Sequence, residues 1–273
     1  MVNVSEYVFG AEKSMAYLAA ILNNKEFRCS LVSPGGATEH LFRSLGIQET
    51  YRLPFKRFSR TRHPLLLLIL LFHWLKNNIR FLLLCFAKKP DIIHANGLHS
   101  MMYVWAVALL LRIPVVWHVR DAGGPAWCLK ICTALSGVRI HPSKIALEEF
   151  PVRTGRSIYV ANPLFPPAGI PGKTLASPPP HDAFPLPVTG GECPLRIGLV
   201  GQMIPRKGHD ILLEAFSLIL AEVPHACLYF VGGDPFDRDS DYVRFLKSTA
   251  LRSDAHRRYR HFLHPSGSLS DFG

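Results

Sequence analysis

The feature that most limits what this chain can fold into is its rhythm. Through the first 162 residues, short apolar β-branched runs alternate with stretches of helical periodicity. The spacing predicts strands over 27–32, 91–95, 114–119, 138–141 and 157–160. It predicts helices over 11–23, 38–45, 65–87, 99–111, 126–135 and 143–150. Strand–helix–strand alternation requires right-handed crossovers, and so a mostly parallel sheet covered on both faces. Ile92-Ile93 and Val115-Val116-Trp117 are apolar without alternation, as strands buried on both sides are.

The rhythm breaks at residue 163. Nine prolines fall within 163–187, with Gly169, Gly172 and Ser177 among them, which excludes a helix or a central strand and reads as an extended linker. Alternation resumes with strands over 195–200, 226–231 and 259–263 and helices over 210–221 and 242–251. The expectation is an α/β protein with one domain over 1–162, a linker over 163–194 and a second domain over 195–273. That second domain has 79 residues, where such a domain usually takes on the order of 100–150. Val2-Asn3-Val4 offers only a stub of a first strand. The chain therefore reads as clipped slightly at its amino end and more severely at its carboxyl end.

Charge narrows the partners. Lys and Arg number 31 against 20 Asp and Glu, a net charge of +11, which favours phosphorylated ligands, nucleic acid or an anionic membrane surface. Nucleic acid is not expected, because Arg252, Arg257, Arg258 and Arg260 have only Tyr259 interleaved for stacking. The six cysteines include no Cys-x-x-Cys pair and are expected to be reduced, without a zinc site. The amino terminus lacks the basic and apolar parts of a secretory signal.

Residues 65–87 are the one membrane suspect. Their uninterrupted apolar run of eleven is too short to span a bilayer, and His73, Lys76, Asn77 and Arg80 make one polar stripe at i, i+3, i+4 and i+7. Three readings stay open: an amphipathic helix packed on a sheet, an interfacial helix aided by Arg52, Lys56, Arg57, Arg60 and Arg62 just upstream, and, last, a transmembrane helix.

The stretch most informative about chemistry runs from Leu195 to Phe216. An apolar strand ends at Gly201, where the missing side chain lets a ligand approach the backbone. A loop carrying Arg206, Lys207 and Gly208 follows, with Asp210 as the expected N-cap of the next helix. Free N–H groups and the positive dipole end of that helix, with Lys207 just ahead, suit a diphosphate. An ordinary strand–loop–helix with two solvated bases remains the alternative on local chemistry alone.

Val200-Gly201-Gln202-Met203-Ile204-Pro205-Arg206-Lys207-Gly208, running into Ile211-Leu212-Leu213-Glu214-Ala215-Phe216, resembles the start of the donor domain in family 4 glycosyltransferases. Leu228 to Pro235 is similar to that family's next strand and glycine-rich turn. Pro90-Asp91-Ile92-Ile93-His94-Ala95-Asn96-Gly97 and Pro114 to Asp121 are similar to its two central strands in the first domain. Gly10-Ala11-Glu12-Lys13-Ser14 resembles its first loop, and Val160-Ala161-Asn162-Pro163 stands in place of its junction segment.

The resemblance implies a GT-B-like architecture of two Rossmann-like parallel-sheet domains, the second incomplete here. It implies an enzyme that transfers a sugar from a nucleotide-sugar donor to a glycan or lipid-linked acceptor with retention, in polysaccharide biosynthesis, with no cofactor and no metal. By position, His118 would be catalytic, beside the transferred sugar. Lys207 would hold the donor diphosphate, with Gly201 and Arg206 alongside, and Gln202 replaces the family's partner arginine with a neutral group. Gly10, Ala11, Glu12, His94 and Asn96 would line the cleft, although the second histidine of the His94 motif is here Asn96. The family's two glutamates eight positions apart have no counterpart after Asp234. The competing reading is a degenerate, non-catalytic binding or scaffolding relative. The expected location is cytoplasmic, with peripheral contact to an anionic membrane on its inner face.

Overall fold

Ile93, Val115 and Trp117 are each 3% exposed or less, which is what strands without polar alternation demand. In the computed structural model the chain divides into two compact units, Met1–Leu175 and Ala176–Gly273. The structure describes residues 1–23, 27–58, 63–120, 124–152, 155–162, 195–233, 240–252 and 259–262. The linker expected over 163–194 lies outside the described residues.

The first unit runs α1 (Gly10–Asn23), β1 (Leu31–Ser33), α2 (Gly36–Ser44), β2 (Thr50–Arg52), α3 (Pro64–Lys88), β3 (Ile93–Asn96), α4 (Leu98–Leu111), β4 (Val115–His118), α5 (Ala126–Leu135), β5 (Val138–His141), α6 (Lys144–Glu148) and β6 (Arg156–Tyr159). Strands β1 and β2 pair in parallel, and β3-β4-β5-β6 form a parallel set in that order. The stub at residues 1–3 joins the two groups. Val2 bridges Val32 and Ala95 in parallel. Its N–H donates to the His94 carbonyl at 2.8 Å, and the Asn3 N–H donates to the Val32 carbonyl at 3.0 Å. A segment too short to read as a strand therefore occupies the centre of the sheet, and every carboxyl strand end falls on one edge.

Trp117, Tyr103, Met101, Val104 and Phe81 pack the core beneath α3 and α4, while Met15, Ala16, Leu31, Phe42 and Ile47 pack α1 and α2 on the other side. Burying each of the larger of these side chains, such as Met15, Leu31, Phe42 and Ile47, is worth about 1.5–3 kcal/mol. Helix α2 is tied down by Glu39, a buried carboxylate that accepts from Arg52, Thr50 and Arg43. These partners, Arg52 foremost, hold its carboxyl down at about 2.

Helix α3 departs from ordinary amphipathic packing. Asn77, Asn78, Phe81 and Cys85 are its buried residues. His73 bonds the Pro54 carbonyl at 2.7 Å and Asn77 at 3.0 Å, while Trp74 donates to the Met102 carbonyl at 2.8 Å. Much of the polar stripe thus faces the protein, and leucines face out.

In the second unit β7 (Arg196–Val200), a 3-10 turn (Pro205–Lys207), α7 (His209–Glu222), β8 (Cys227–Val231), α8 (Ser240–Arg252) and β9 (Tyr259–Phe262) give a parallel sheet of order β7-β8-β9. Its core holds Met203, Leu213, Phe216, Leu228 and Phe230. Cys29, Cys85, Cys128 and Cys132 are free thiols.

At the carboxyl edge of this second sheet two loops touch through their backbones. The Gly201 N–H donates to the Val231 carbonyl at 2.9 Å and the Met203 N–H to the Gly233 carbonyl at 3.1 Å. A Cβ on Gly232, whose φ is +144°, would lie 1.9 Å from the Gly201 carbonyl oxygen. Gly232→Ala should therefore weaken hydrogen-exchange protection at the Gly201 and Met203 amides by about 1–3 kcal/mol. Gly198→Ala, with nothing within 4 Å of its added carbon, serves as the control that should change little.

Candidate functional site

The carboxyl edge of a parallel sheet exposes the ends of strands and the starts of helices, so polar groups collect there. In the first unit β3 ends at Asn96 and β4 at His118, paired in register. The loop after residues 1–3 leads into α1 and is fixed by Thr38, whose hydroxyl lies within hydrogen-bonding reach of the Ser5 and Tyr7 carbonyls. Gly10, Ala11 and Glu12 form the first turn of α1. The Glu12 side chain turns back to accept the Phe9 N–H at 3.1 Å, half of a capping box, so its carboxylate stabilises the helix start.

A guanidinium links these pieces. Arg120 donates from Nε to Asn96 Oδ1 at 2.9 Å, from one terminal nitrogen to Asn162 Oδ1 at 2.5 Å and from the other to Ser14 Oγ at 3.3 Å. Ser14 donates to Asn162 at 2.9 Å, and Asn96 donates to Asn3 at 3.2 Å. One fixed positive charge thereby ties the ends of β3 and β6, the first helix and the central segment. Sequence reasoning missed Arg120. The available signal was its place two residues beyond His118, where strand alternation puts both on one face.

His94 and His118 lie side by side on neighbouring strands, with ring centroids 5.5 Å apart. Both are buried, and none of their ring nitrogens has a hydrogen-bond partner among the described residues. Burial, reinforced by Arg120, pushes the His118 imidazole down to about 3. Burial and then the neighbouring His118 hold His94 well below its usual value. Both are therefore neutral near pH 7, each offering one N–H donor and one acceptor nitrogen, as suits hydroxyl groups of a polyol.

In the second unit Gly201 directly follows β7 and its N–H is already used toward Val231. Gln202 is half-buried, and Arg206 and Lys207 are exposed within the 3-10 turn. Gly208 adopts φ +69° and caps α7, so the turn delivers Lys207 directly ahead of the helix. Asp210 does not cap, which corrects the sequence expectation. It accepts from the Tyr242 hydroxyl at 2.7 Å, tying α7 to α8, because glycine in the left-handed region occupies the capping position. The proposed donor residues are thus brought together in this unit and the proposed catalytic and cleft residues in the other. Among the described residues no cluster of three His, Cys, Asp or Glu side chains suits a metal ion.

Residues 9–143 match a family model described as a glycosyl transferase 4-like domain. Among solved structures, the chain is similar to Anabaena Alr3699/HepE in complex with UDP and glucose. The TM-score is 0.69 at 17% identity, covering 97% of this chain and 69% of that one. A glycosyltransferase from Rickettsia africae gives a TM-score of 0.64 at 14% identity, covering 97% and 68%. The lipopolysaccharide outer core galactosyltransferase WaaB gives 0.58 at 12%, covering 97% and 67%. No curated protein matches. These likenesses establish an α/β fold with parallel sheets of the GT-B kind, consistent with one full and one partial Rossmann-like domain.

The neutral histidines predict acid lability in the first unit, which holds all four tryptophans, at positions 74, 105, 117 and 127. Unfolded imidazoles titrate near 6.5, well above their folded values, so the unfolded state binds protons first as pH falls. Their stabilising contribution is complete above about 6.5 and is lost progressively below it. Tryptophan fluorescence during urea unfolding should show the midpoint falling between pH 7.5 and 5, and His118→Asn should flatten that dependence. Glu39 acts only at lower pH, from its unfolded value near 4.5 down toward about 2. A midpoint that stays constant down to pH 5 would contradict the assignment.

Proposed function

Residues 9–143 belong to the glycosyl transferase 4-like domain family, and from that premise we propose that the chain transfers a sugar from a nucleotide-sugar donor, with retention, to a glycan or lipid-linked acceptor. The observation that carries this reading is the Arg206–Lys207–Gly208 turn. It sets two exposed cations directly ahead of a fourteen-residue helix at the carboxyl edge of a parallel sheet. HepE, with the same kind of fold, is known in complexes with UDP, with UDP and glucose, and with UDP-glucose, so a uridine nucleotide is the first donor to test.

In this reading Lys207 meets the diphosphate and offsets the charge that develops on the leaving nucleotide. Gly201 admits the ligand close to the backbone, while Gln202 supplies a neutral donor and Arg206 a second cation. His118, uncharged and with no ring partner among the described residues, hydrogen-bonds a sugar hydroxyl, and His94 and Asn96 support it from the next strand. Gly10, Ala11 and Glu12 contribute backbone N–H groups at the start of α1. No metal is needed, because fixed cations and a helix start do the neutralising.

Calorimetric titration with UDP tests the donor half. Lys207→Ala should weaken UDP binding by about tenfold or more, in line with the loss of a hydrogen bond to a charged group. His118→Ala should leave UDP affinity unchanged yet lower UDP-glucose turnover by about 100-fold, whether the sugar passes to water or to an acceptor. UDP affinity unaffected by Lys207→Ala would refute the donor assignment. Binding without turnover in the unaltered chain would favour the non-catalytic reading, which the neutral Gln202 supports.

A further inference from the structure

Helix α3 carries an apolar stripe on the side that faces away from the protein. Leu68, Phe72, Leu75, Ile79, Leu83 and Phe86 follow one another at steps of four, three, four, four and three residues, and each is at least 50% exposed. At about 100° per residue these positions share one face. The stripe persists along the helix, and at the amino end Leu65, Leu66, Leu67 and Ile69 widen it until the first turns are apolar all round. Twenty-five residues at about 1.5 Å each give a length near 37 Å. Exposed patches on this scale mark interaction surfaces.

Three candidate occupants can be separated by chemistry. A helix spanning a bilayer packs on lipid or on other spanning elements, but α3 packs on the parallel-sheet core, with Asn77, Asn78, Phe81 and Cys85 buried and Trp74 donating to the Met102 carbonyl. A second copy of the chain would bring like charge against like, because residues 50–90 contain nine Lys or Arg and no Asp or Glu. An anionic lipid surface meets both demands. Its acyl region takes the apolar stripe, and its headgroups take Lys76 and Arg80, exposed on the flank, together with Lys56 and Arg57 upstream.

The sheet topology also fixes which end enters deepest. Helices α3 and α4 both follow strands of one parallel sheet and so start at its carboxyl edge. Trp74 lies against Met102, one turn into α4, which begins at Leu98. The first turns of α3 therefore overhang the start of α4 by roughly 9 Å, on the edge that carries Asn96, His118 and Arg120.

We propose that the outward face of α3 docks in the plane of an anionic bilayer, amino end deepest, holding the carboxyl edge of the first sheet toward the membrane. This deepens the sugar-transfer reading, on which its last step rests, by giving the acceptor a lipid anchor.

The test is co-sedimentation of the full chain with vesicles of phosphatidylcholine alone or mixed with phosphatidylglycerol, with UDP affinity measured on the same samples. The bound fraction should be about tenfold higher with the anionic vesicles and should fall as salt rises. The triple variant Leu68→Ser, Phe72→Ser, Ile79→Ser should lose that binding while keeping its UDP affinity, and an unchanged urea transition by tryptophan fluorescence, which reports on the first unit, certifies that it folds. Equal recovery in the supernatant with both vesicles would overturn the proposal. So would a dimer, seen by sedimentation velocity, that the triple variant abolishes without any vesicle binding. Resistance to alkaline carbonate extraction would overturn it in favour of a spanning helix. Loss of UDP binding alongside intact vesicle binding would sink the sugar-transfer reading and leave the docking in place.

Discussion

Everything in the first unit hangs on a three-residue contact. Residues 1–3 hydrogen-bond to β1 on one side and β3 on the other, and without them the two strand groups share no ladder. That insertion also aligns the chemistry. Asn3, following Val2, faces Asn96 on the next strand, and Asn96 orients Arg120. A backbone pairing that looks purely architectural therefore sets the position of the charged group at the mouth of the site. The buried amide pair can persist there because each partner is satisfied, whereas an apolar replacement on one side would strand the other at about 1–3 kcal/mol.

The histidines show the opposite economy. A buried ring with no hydrogen-bonding partner lowers stability, and two rings without one among the described residues sit together on β3 and β4. Stability alone would favour apolar side chains at those positions. Their presence in an otherwise well-packed sheet, kept neutral chiefly by burial and further by the nearby guanidinium, concentrates hydrogen-bonding capacity at one edge. Neutrality matters chemically. A charged imidazole beside Arg120 would repel it and could only donate, while a neutral one both donates and accepts, as recognition of a hydroxyl requires.

Much of this was legible in the sequence, and what was not has definite causes. Strands such as Ile93–Asn96 and Val115–His118 were found because full burial on both faces leaves an uninterrupted apolar signature. Strand Thr50–Arg52 went unseen, since three residues with little burial carry no period. The stub at residues 1–3 was seen but underrated, because its importance lies in pairing with strands some 30 and 90 residues away. Arg120 escaped for the same reason, as its three partners lie up to 106 residues distant in the chain. Asp210 misled because local preference for a capping carboxylate lost to the left-handed Gly208 and to a partner, Tyr242, on another helix.

Helix α3 is where pattern and structure diverge most usefully. A stripe of His73, Lys76, Asn77 and Arg80 is compatible with two orientations, and periodicity cannot choose between them. Contacts decide. Once His73 reaches the Pro54 carbonyl and Asn77 is buried beneath it, the stripe splits, with its amide and imidazole turned inward and its two cations left on the rim. Rotating the helix to bury the leucines would break the bonds from His73 to the Pro54 carbonyl and from Trp74 to the Met102 carbonyl. The inward polar contacts therefore act as a lock that keeps the apolar face outward. In the proposed docking, the cost of exposing that face in water is offset where it meets the acyl region of the bilayer.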